Sequence, residues 1–226
     1  MRHIEQELST LRQDLIDMWK LVISQVTNAG EAILLFDKDL ATKVNLREKK
    51  VDAYELKIDG LCESIIALYQ PVAVDLRFVL AVFKINSNLE RIGDFANGIS
   101  HIMINNPSVI LDAEVISDTH VQLMIEQVKK MLAQGLDAFI NEKSNYAAAI
   151  FSEDAKVDEL NEKSVYVIAE YIKKNPDRAY ECLELIGIFR KLERIGDHCA
   201  NIAEEIFFFV DANVLKHTPK DAKLLE

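Results

Sequence analysis

The sequence predicts an all-α fold made of two tandem, duplicated antiparallel three-helix bundles, with six long helices in all. Half of the 226 residues are hydrophobic, and only 7 Gly and 4 Pro are present, which is typical of helical proteins. Apolar residues recur at alternating spacings of three and four, as on one buried face of a helix. The hexamer LERIGD occurs at residues 89–94 and again at residues 192–197, an offset of 103 that indicates an internal duplication.

Three helices are predicted in the first half of the chain. Residues 4–36 carry one apolar stripe, which stops at residues 37–39, where an aspartate is suited to cap the next helix. The second helix continues to about residue 69 and ends before Pro71, because proline disfavours helical geometry in the residue before it. The third helix carries the first hexamer. Long helices joined by tight turns run up, down and up, so we expect residues 1–106 to form one bundle.

The second half repeats this order. Helices are predicted at residues 112–139, at residues 144–174, and from about residue 177 to residue 210, with the second hexamer on the last of them. Residues 107–215 are therefore expected to form the second bundle. Residues 216–226 are polar and contain Pro219, which indicates a frayed tail.

Charge and cysteine content limit the function classes. The 37 acidic and 26 basic residues give a formal charge of −11, and the lysine pairs are isolated, so we expect no nucleic-acid partner. Cys62, Cys182 and Cys199 form no CxxC pattern and lie in apolar stretches, which fits a reducing compartment. Acidic residues near the N-terminus argue against a secretory signal, and no apolar run reaches the length of a membrane span. We therefore expect a cytoplasmic protein.

Each predicted bundle carries two pairs of acidic residues with the spacing acid-x-x-x-acid. On a helix with 3.6 residues per turn, the members of such a pair point to one side, one turn apart. One pair lies on the second helix of each bundle, and the other lies in the hexamer on the third helix. The eight candidate metal ligands are Glu48, Asp52, Glu90, Asp94, Asp154, Asp158, Glu193 and Asp197. If the two helices are adjacent and antiparallel, four carboxylates converge in each bundle.

Converging carboxylates repel one another unless they are protonated or bind a cation. Oxygen-rich sites favour magnesium, calcium, manganese or iron, and zinc is also compatible, so the identity of the divalent or trivalent ion stays open. Two interpretations without metal remain. Acids at this spacing are often solvated, and Arg91 and Arg194 beside them can form neutralising ion pairs. Gly93 and Gly196 cost about 1 kcal/mol each inside a helix, and a close helix approach explains both.

The sequence lacks the motifs of several common enzyme classes. No glutamate is followed by a histidine three residues later, as carboxylate-bridged di-iron oxidases require. There is also no HExxH motif, no Walker-type glycine loop and no Gly-x-Ser-x-Gly elbow. His198 directly follows Asp197, but its counterpart is Phe95, so we interpret His198 as a hydrogen-bonded or half-exposed histidine and not as a ligand. We expect a protein that is not an enzyme. A carboxylate-bridged metal-dependent enzyme and a purely structural interaction bundle without metal are the alternatives.

At these residues the chain resembles the PhoU family of phosphate-signalling proteins. The resemblance covers essentially the whole chain. It rests on PVAVDLR at residues 71–77, the first hexamer, the run LERIGDHCANIAE at residues 192–204, and the acidic pairs on the second and fifth helices. The chain departs from the family at Gly98, where the family usually has the asparagine that this chain carries as Asn201. The first site is therefore expected to lack one polar side chain that the second site has.

The resemblance implies a pair of three-helix bundles whose acidic motifs bind multinuclear clusters of iron or zinc. It also implies a negative regulator of phosphate uptake and of the phosphate-starvation response, with no enzymatic activity. Its partners would be the ATPase subunit of a phosphate ABC transporter and a sensor histidine kinase, through which it would be peripheral to the membrane. The sequence leaves open whether a homodimer forms.

Overall fold

The computed structural model describes residues 2–106 and 113–215, and it confirms the all-α prediction: these residues form no strand. Six helices are long and one is short. They are α1 Arg2–Leu35, α2 Lys38–Tyr69, α3 Ala73–Asn105, α4 Ala113–Asp118, α5 Val121–Asn141, α6 Ser144–Lys174 and α7 Ala179–Asp211, with a 3-10 turn at Pro176–Arg178. The predicted tail at residues 216–226 lies outside the described residues. Within the described part, no helix has the length and apolarity that crossing a bilayer requires.

The turns of the first half follow the local sequence signals. The Asp37 side chain accepts hydrogen bonds from the backbone N–H groups of Asp39, at 2.8 Å, and Leu40, at 3.1 Å. It therefore caps α2, as an aspartate before a helix is expected to do. At the other end, Gln70 adopts a left-handed conformation with φ of 47°, and its N–H bonds the carbonyl of Ile66. The chain then enters α3 through Pro71, which ends α2 as predicted.

The prediction of one continuous helix over residues 112–139 is wrong, because the chain breaks between α4 and α5. His120 has a left-handed backbone with φ of 53°. The last helical bond of α4 runs from the Thr119 N–H to the Val115 carbonyl, at 3.0 Å, and the His120 N–H then bonds the Ser117 carbonyl at 3.1 Å, which closes a tighter turn. The Thr119 hydroxyl also donates a hydrogen bond of 2.6 Å to the Val115 carbonyl. Thr119 is itself buried, which holds this bend in place.

Long helices pack within and between the two halves. The pairs α2–α3 and α6–α7 lie side by side, and α1 and α5 pack beside them. The longest contact between the halves is an antiparallel pairing of α3 with α7. Lys84 in the first half of α3 pairs with Glu205 near the end of α7, at 2.9 Å. Gly98 near the end of α3 lies against Lys191 in the first half of α7. The two hexamers occupy the middle of this pairing, so α3 and α7 bury apolar surface against each other as well as inside their own triplets.

Trp19 joins α1 to α5. It is fully buried, and its indole N–H donates a hydrogen bond of 3.1 Å to the carbonyl of Leu132. A side chain at Gly135 would approach the Trp19 ring to 2.9 Å, so the indole occupies the space that a larger residue would need. One continuous apolar core results, and it runs through both halves. The division into domains at residues 106 and 107 stays a prediction.

We expect Ala212→Gly to stabilise the protein by about 1 kcal/mol, because Ala212 ends α7 in a left-handed conformation with φ of 57°, which glycine adopts without steric cost. The matched control is Ala149→Gly at an exposed position inside α6, where glycine should destabilise by about 1 kcal/mol. Urea unfolding of both variants measures the two changes. A lower free energy of unfolding for Ala212→Gly would contradict the assignment of this helix end.

Candidate metal centres

Two glycines allow the helices that carry the acidic pairs to approach closely. A side-chain carbon on Gly93 of α3 would lie 3.2 Å from the nearest Val51 methyl group on α2. In the second half, such an atom on Gly196 of α7 would lie 3.0 Å from an Asp154 carboxylate oxygen and 3.3 Å from a Val157 methyl group on α6. These contacts confirm close helix approach as the reason for both glycines. They also place the acidic pairs of neighbouring helices opposite each other.

The second candidate centre lies between α6 and α7. One carboxylate oxygen from each of Asp154, Asp158 and Asp197 lies within 4.8 Å of the other two, the single such group in the described part of the chain. Ligand oxygens of magnesium or calcium lie about 2.0–2.6 Å from the ion, so two ligands on opposite sides of one ion are about 4–5 Å apart. Asp154 is fully buried, and Asp158 and Asp197 are half-buried. The donor atoms and their spacing therefore fit a single hard cation.

Glu193 is at the edge of this group and does not complete it. Burial raises the pKa of its carboxyl group above the usual value, and the nearby Asp197 carboxylate raises it further. The Arg194 guanidinium opposes this shift, while Asp158 and Asp154 add to it. Three of the four predicted ligands of the second centre are thus brought together. The fourth, Glu193, is close enough to their carboxylates for them to raise its pKa.

In the first candidate centre, between α2 and α3, the four predicted ligands share one electrostatic environment. Burial and contact with the Asp94 carboxyl raise the pKa of Glu48 to about 7, and Asp52 and Glu90 contribute. Glu90 is also raised to about 7, by burial and then by Asp94. Both Glu48 oxygens are buried and receive no hydrogen bond from a donor in the described chain. The acids converge, but no three of them form a compact group like that of the second centre.

Glu55 is a fifth carboxylate of the first centre that sequence reasoning did not assign. Burial raises its pKa, and the neighbouring Asp59 and Asp52 carboxylates raise it further. Glu55 in turn raises the pKa of Glu90 on α3. The sequence does carry a signal for it, because Glu48, Asp52, Glu55 and Asp59 follow one another at spacings of four, three and four along α2. At the offset of 106 that relates α2 to α6, the counterpart of Glu55 is Asn161, so the first centre is the more acidic of the two.

Arginines border both centres in the same way. Arg91 lies 3.6 Å from Glu90 and 3.4 Å from Asp94, and Arg194 lies 3.7 Å from Glu193 and 3.3 Å from Asp197. The predicted ion pairs are therefore present. Both arginine side chains are about 60% exposed, and ion pairs with such exposure contribute little to stability. Neither pairing supplies a donor to the buried Glu48 oxygens on the opposite helix.

His198 joins the two halves beside the second centre. Its Nδ1 lies 2.8 Å from the Asn88 amide oxygen of α3, and its ring packs 5.6 Å from the Phe95 ring. Since the amide oxygen is an acceptor, Nδ1 carries the proton. Burial lowers the pKa of the imidazole, which favours the neutral ring. Of the two interpretations of His198, hydrogen-bonded or half-exposed, the hydrogen bond to Asn88 supports the first.

Gly98 has a packing reason. A side-chain carbon at Gly98 would lie 3.0 Å from the Lys191 Cε atom, so Lys191 of α7 occupies the space of the missing side chain. Asn201, the equivalent residue, borders a cavity of about 340 Å³ between α7 and α3. The difference at this position reflects the contact between α3 and α7.

We expect Glu48→Gln to stabilise the metal-free protein at pH 8 and to change its stability little at pH 4.5. The folded-state pKa of Glu48, about 7, lies above the unfolded value of 4.5. The protonated form is therefore favoured by folding, and this contribution is present below pH 4.5 and lost as the pH rises through 7. Urea unfolding with a chelator at both pH values measures the effect. Glu63→Gln, at an exposed position on α2, is the control and should show no such pH dependence. Equal effects of Glu48→Gln at the two pH values would refute the buried, acid-facing placement of Glu48.

Comparison with known proteins gives a consistent picture. The PhoU domain model matches residues 15–103 and 121–206. The phosphate-specific transport system accessory protein PhoU of Edwardsiella tarda is 36% identical over 221 residues, covering 95% of this chain and 87% of that protein. The protein of the same name from Escherichia coli strain K12 is 34% identical over 221 residues, covering 95% and 88%.

Two solved structures share the fold. The crystal structure of PhoU from Pseudomonas aeruginosa superposes with a TM-score of 0.88 at 32% identity, covering 92% of this chain and 99% of that one. The crystal structure of the phosphate transport system regulatory protein PhoU from Streptococcus pneumoniae gives a TM-score of 0.81 at 25% identity, covering 93% and 98%. With the duplicated acidic centres and the matches over nearly the whole chain, the protein belongs to the PhoU family.

Proposed function

We propose that this protein is a metal-binding negative regulator of phosphate uptake and of the phosphate-starvation response. It acts in the cytoplasm as a helical adaptor between the ATPase subunit of a phosphate ABC transporter and a sensor histidine kinase, and it is peripheral to the membrane through these partners. The single observation that carries the metal-binding part is the group of Asp154, Asp158 and Asp197 oxygens at the spacing of one cation. Relatives named as accessory proteins of phosphate-specific transport support the regulatory part and a role other than catalysis.

In the second centre, Asp154 and Asp158 from α6 and Asp197 from α7 would hold the ion, with Glu193 at its edge. In the first centre, Glu48 and Asp52 from α2 would act with Glu90 and Asp94 from α3, and Glu55 would add a further carboxylate. When bound, the cation supplies positive charge that offsets the repulsion among the acids. The protein itself keeps these carboxylates together. Glycine lets the two helices approach closely, and the neighbouring leucine and isoleucine side chains anchor each helix in the apolar core. Leu89 and Ile92 in the first hexamer are both fully buried.

Metal binding would fix the relative positions of helices, and a partner protein could recognise that arrangement. Each centre joins the second and third helices of its half, and α3 and α7 pack against each other between the two centres. A cation in either centre would therefore hold three of the four acid-bearing helices in one fixed arrangement. This supports an adaptor whose surface is set by its metal content.

In a strain that lacks the gene, a phosphate-starvation reporter should be active in high phosphate, and expression of the wild-type chain should silence it. We expect the double variant Asp154→Asn with Asp158→Asn to leave the reporter largely active. The control is Glu159→Gln with Glu162→Gln, which removes the same charge from exposed positions of α6 and should silence the reporter as the wild type does. Cell extracts should contain equal amounts of the three proteins.

Silencing by the Asp154 and Asp158 variant at wild-type level would show that regulation does not need the second centre. Failure of the wild-type chain to silence the reporter would contradict the regulatory function itself.

A further inference from the structure

The PVAVDLR segment at residues 71–77 has no part in the two centres, yet it forms an unusual turn. Gln70 and Ala73 both have left-handed backbones, with φ of 47° and 50°, although neither is glycine. A left-handed backbone is unfavourable for such residues and persists where the surrounding structure fixes it. The turn leaves the Val72 and Val74 side chains 74% and 59% exposed. An apolar surface thus lies beside the first turns of α3.

Beside this surface is a groove of about 510 Å³ to which both halves contribute. α1, α3, the turn between α5 and α6, and the end of α7 form its walls. The residues that matter for its chemistry are Arg12, Arg77, Phe78, Glu142 and Phe209. The groove therefore combines aromatic side chains with two guanidinium groups.

The two arginines of the groove differ in their pairing. Arg12 pairs with Glu142 and lies 4.6 Å from the centroid of the Phe78 ring, so its charge and its flat face are both in contact. Arg77 forms no ion pair in the described chain, and its Nε is buried without an acceptor. Nε is the one guanidinium nitrogen of Arg77 that is buried, so the two Nη groups stay accessible, and a carboxylate can meet them with two parallel hydrogen bonds.

The charges around Arg77 favour a carboxylate on a protein over free phosphate. Glu5 and Asp75 also border the groove and would repel a doubly charged anion more strongly than a singly charged one. A protein segment can instead place one acidic side chain on Arg77, a basic one near Glu5 or Asp75, and apolar ones on Val74. Arginine is suited to this role because its fork matches the geometry of a carboxylate.

We propose that this groove is a docking site for a segment of a partner protein that carries one Asp or Glu side chain flanked by apolar residues, and that Arg77 is the residue that recognises the carboxylate. The inference rests on the proposed adaptor function and names the surface that this function would use. It gives the conspicuous turn at residues 71–77 a binding role separate from the metal centres.

The test is the binding of the purified full-length chain to two probes, the ATPase subunit of the phosphate transporter and the cytoplasmic part of the sensor kinase from the same genome. For the probe that uses the groove, Arg77→Gln should weaken binding at least about tenfold. The substitution removes the charged hydrogen bonds between Arg77 and the partner's carboxylate and leaves that carboxylate unpaired in the interface. Arg77→Lys should weaken it as well, since lysine keeps the charge but not the fork. The control Arg190→Gln, at an exposed position of α7, should stay within about twofold of the wild type.

A second variant keeps the test valid if Arg77→Gln does not fold. Val74→Glu places a carboxylate of the chain itself at the groove and should also weaken binding, whereas Val165→Glu, at a 43% exposed position of α6, should not. Wild-type binding that is unchanged in both the Arg77 and the Val74 variants would overturn the docking site while leaving the adaptor function intact. A wild-type chain that binds neither probe would overturn the adaptor function, and the docking site with it.

Discussion

Carboxylates buried at the contact between two helices are the constraint on which the rest of this structure depends. Asp154 is fully buried opposite Gly196, and Glu48 lies against the Asp94 carboxyl with no hydrogen-bond donor from the described residues at either oxygen. Such groups lose hydration and repel their neighbours, so they are unfavourable as ions unless a proton or a cation accompanies them. The packing that surrounds them, with glycine where the helices meet and apolar residues on the opposite face, holds the acids together in spite of this repulsion.

Gene duplication explains why the two centres have the same arrangement of acidic pairs, and the packing between the halves explains part of the difference between them. In the first half, Glu55 adds a carboxylate, whereas the second half has Asn161 at that place. Lys191 fills the space beside Gly98, and His198 bonds Asn88 where the first half has Phe95. The differences at Gly98 and His198 lie along the pairing of α3 with α7, where each half meets the other rather than a copy of itself, whereas Glu55 and Asn161 lie on α2 and α6. The two centres would therefore differ in their affinity for a metal ion.

Much of the fold could be predicted from local signals, because single residues determine where several helices begin and end. Asp37 caps α2 and Pro71 ends it, as the sequence predicted. The break between α4 and α5 could not be predicted, since it depends on a left-handed backbone at His120, where the sequence has no glycine or proline to mark a helix end. The pairing of α3 with α7 was missed because the apolar stripe of a helix does not say which neighbour covers it. The eight acids were found through their repetition, and Glu55 was missed because its counterpart is not acidic.

The most direct test of the central claim is elemental analysis of protein purified without chelators, beside the variant Asp154→Asn with Asp158→Asn and the surface control Glu159→Gln with Glu162→Gln. The account predicts near-stoichiometric or higher metal in the wild type and the control. It predicts a clear loss in the Asp154 and Asp158 variant, in which the buried acids of the second centre become neutral. A wild-type protein that is free of metal, or a variant that retains the full metal content, would contradict it.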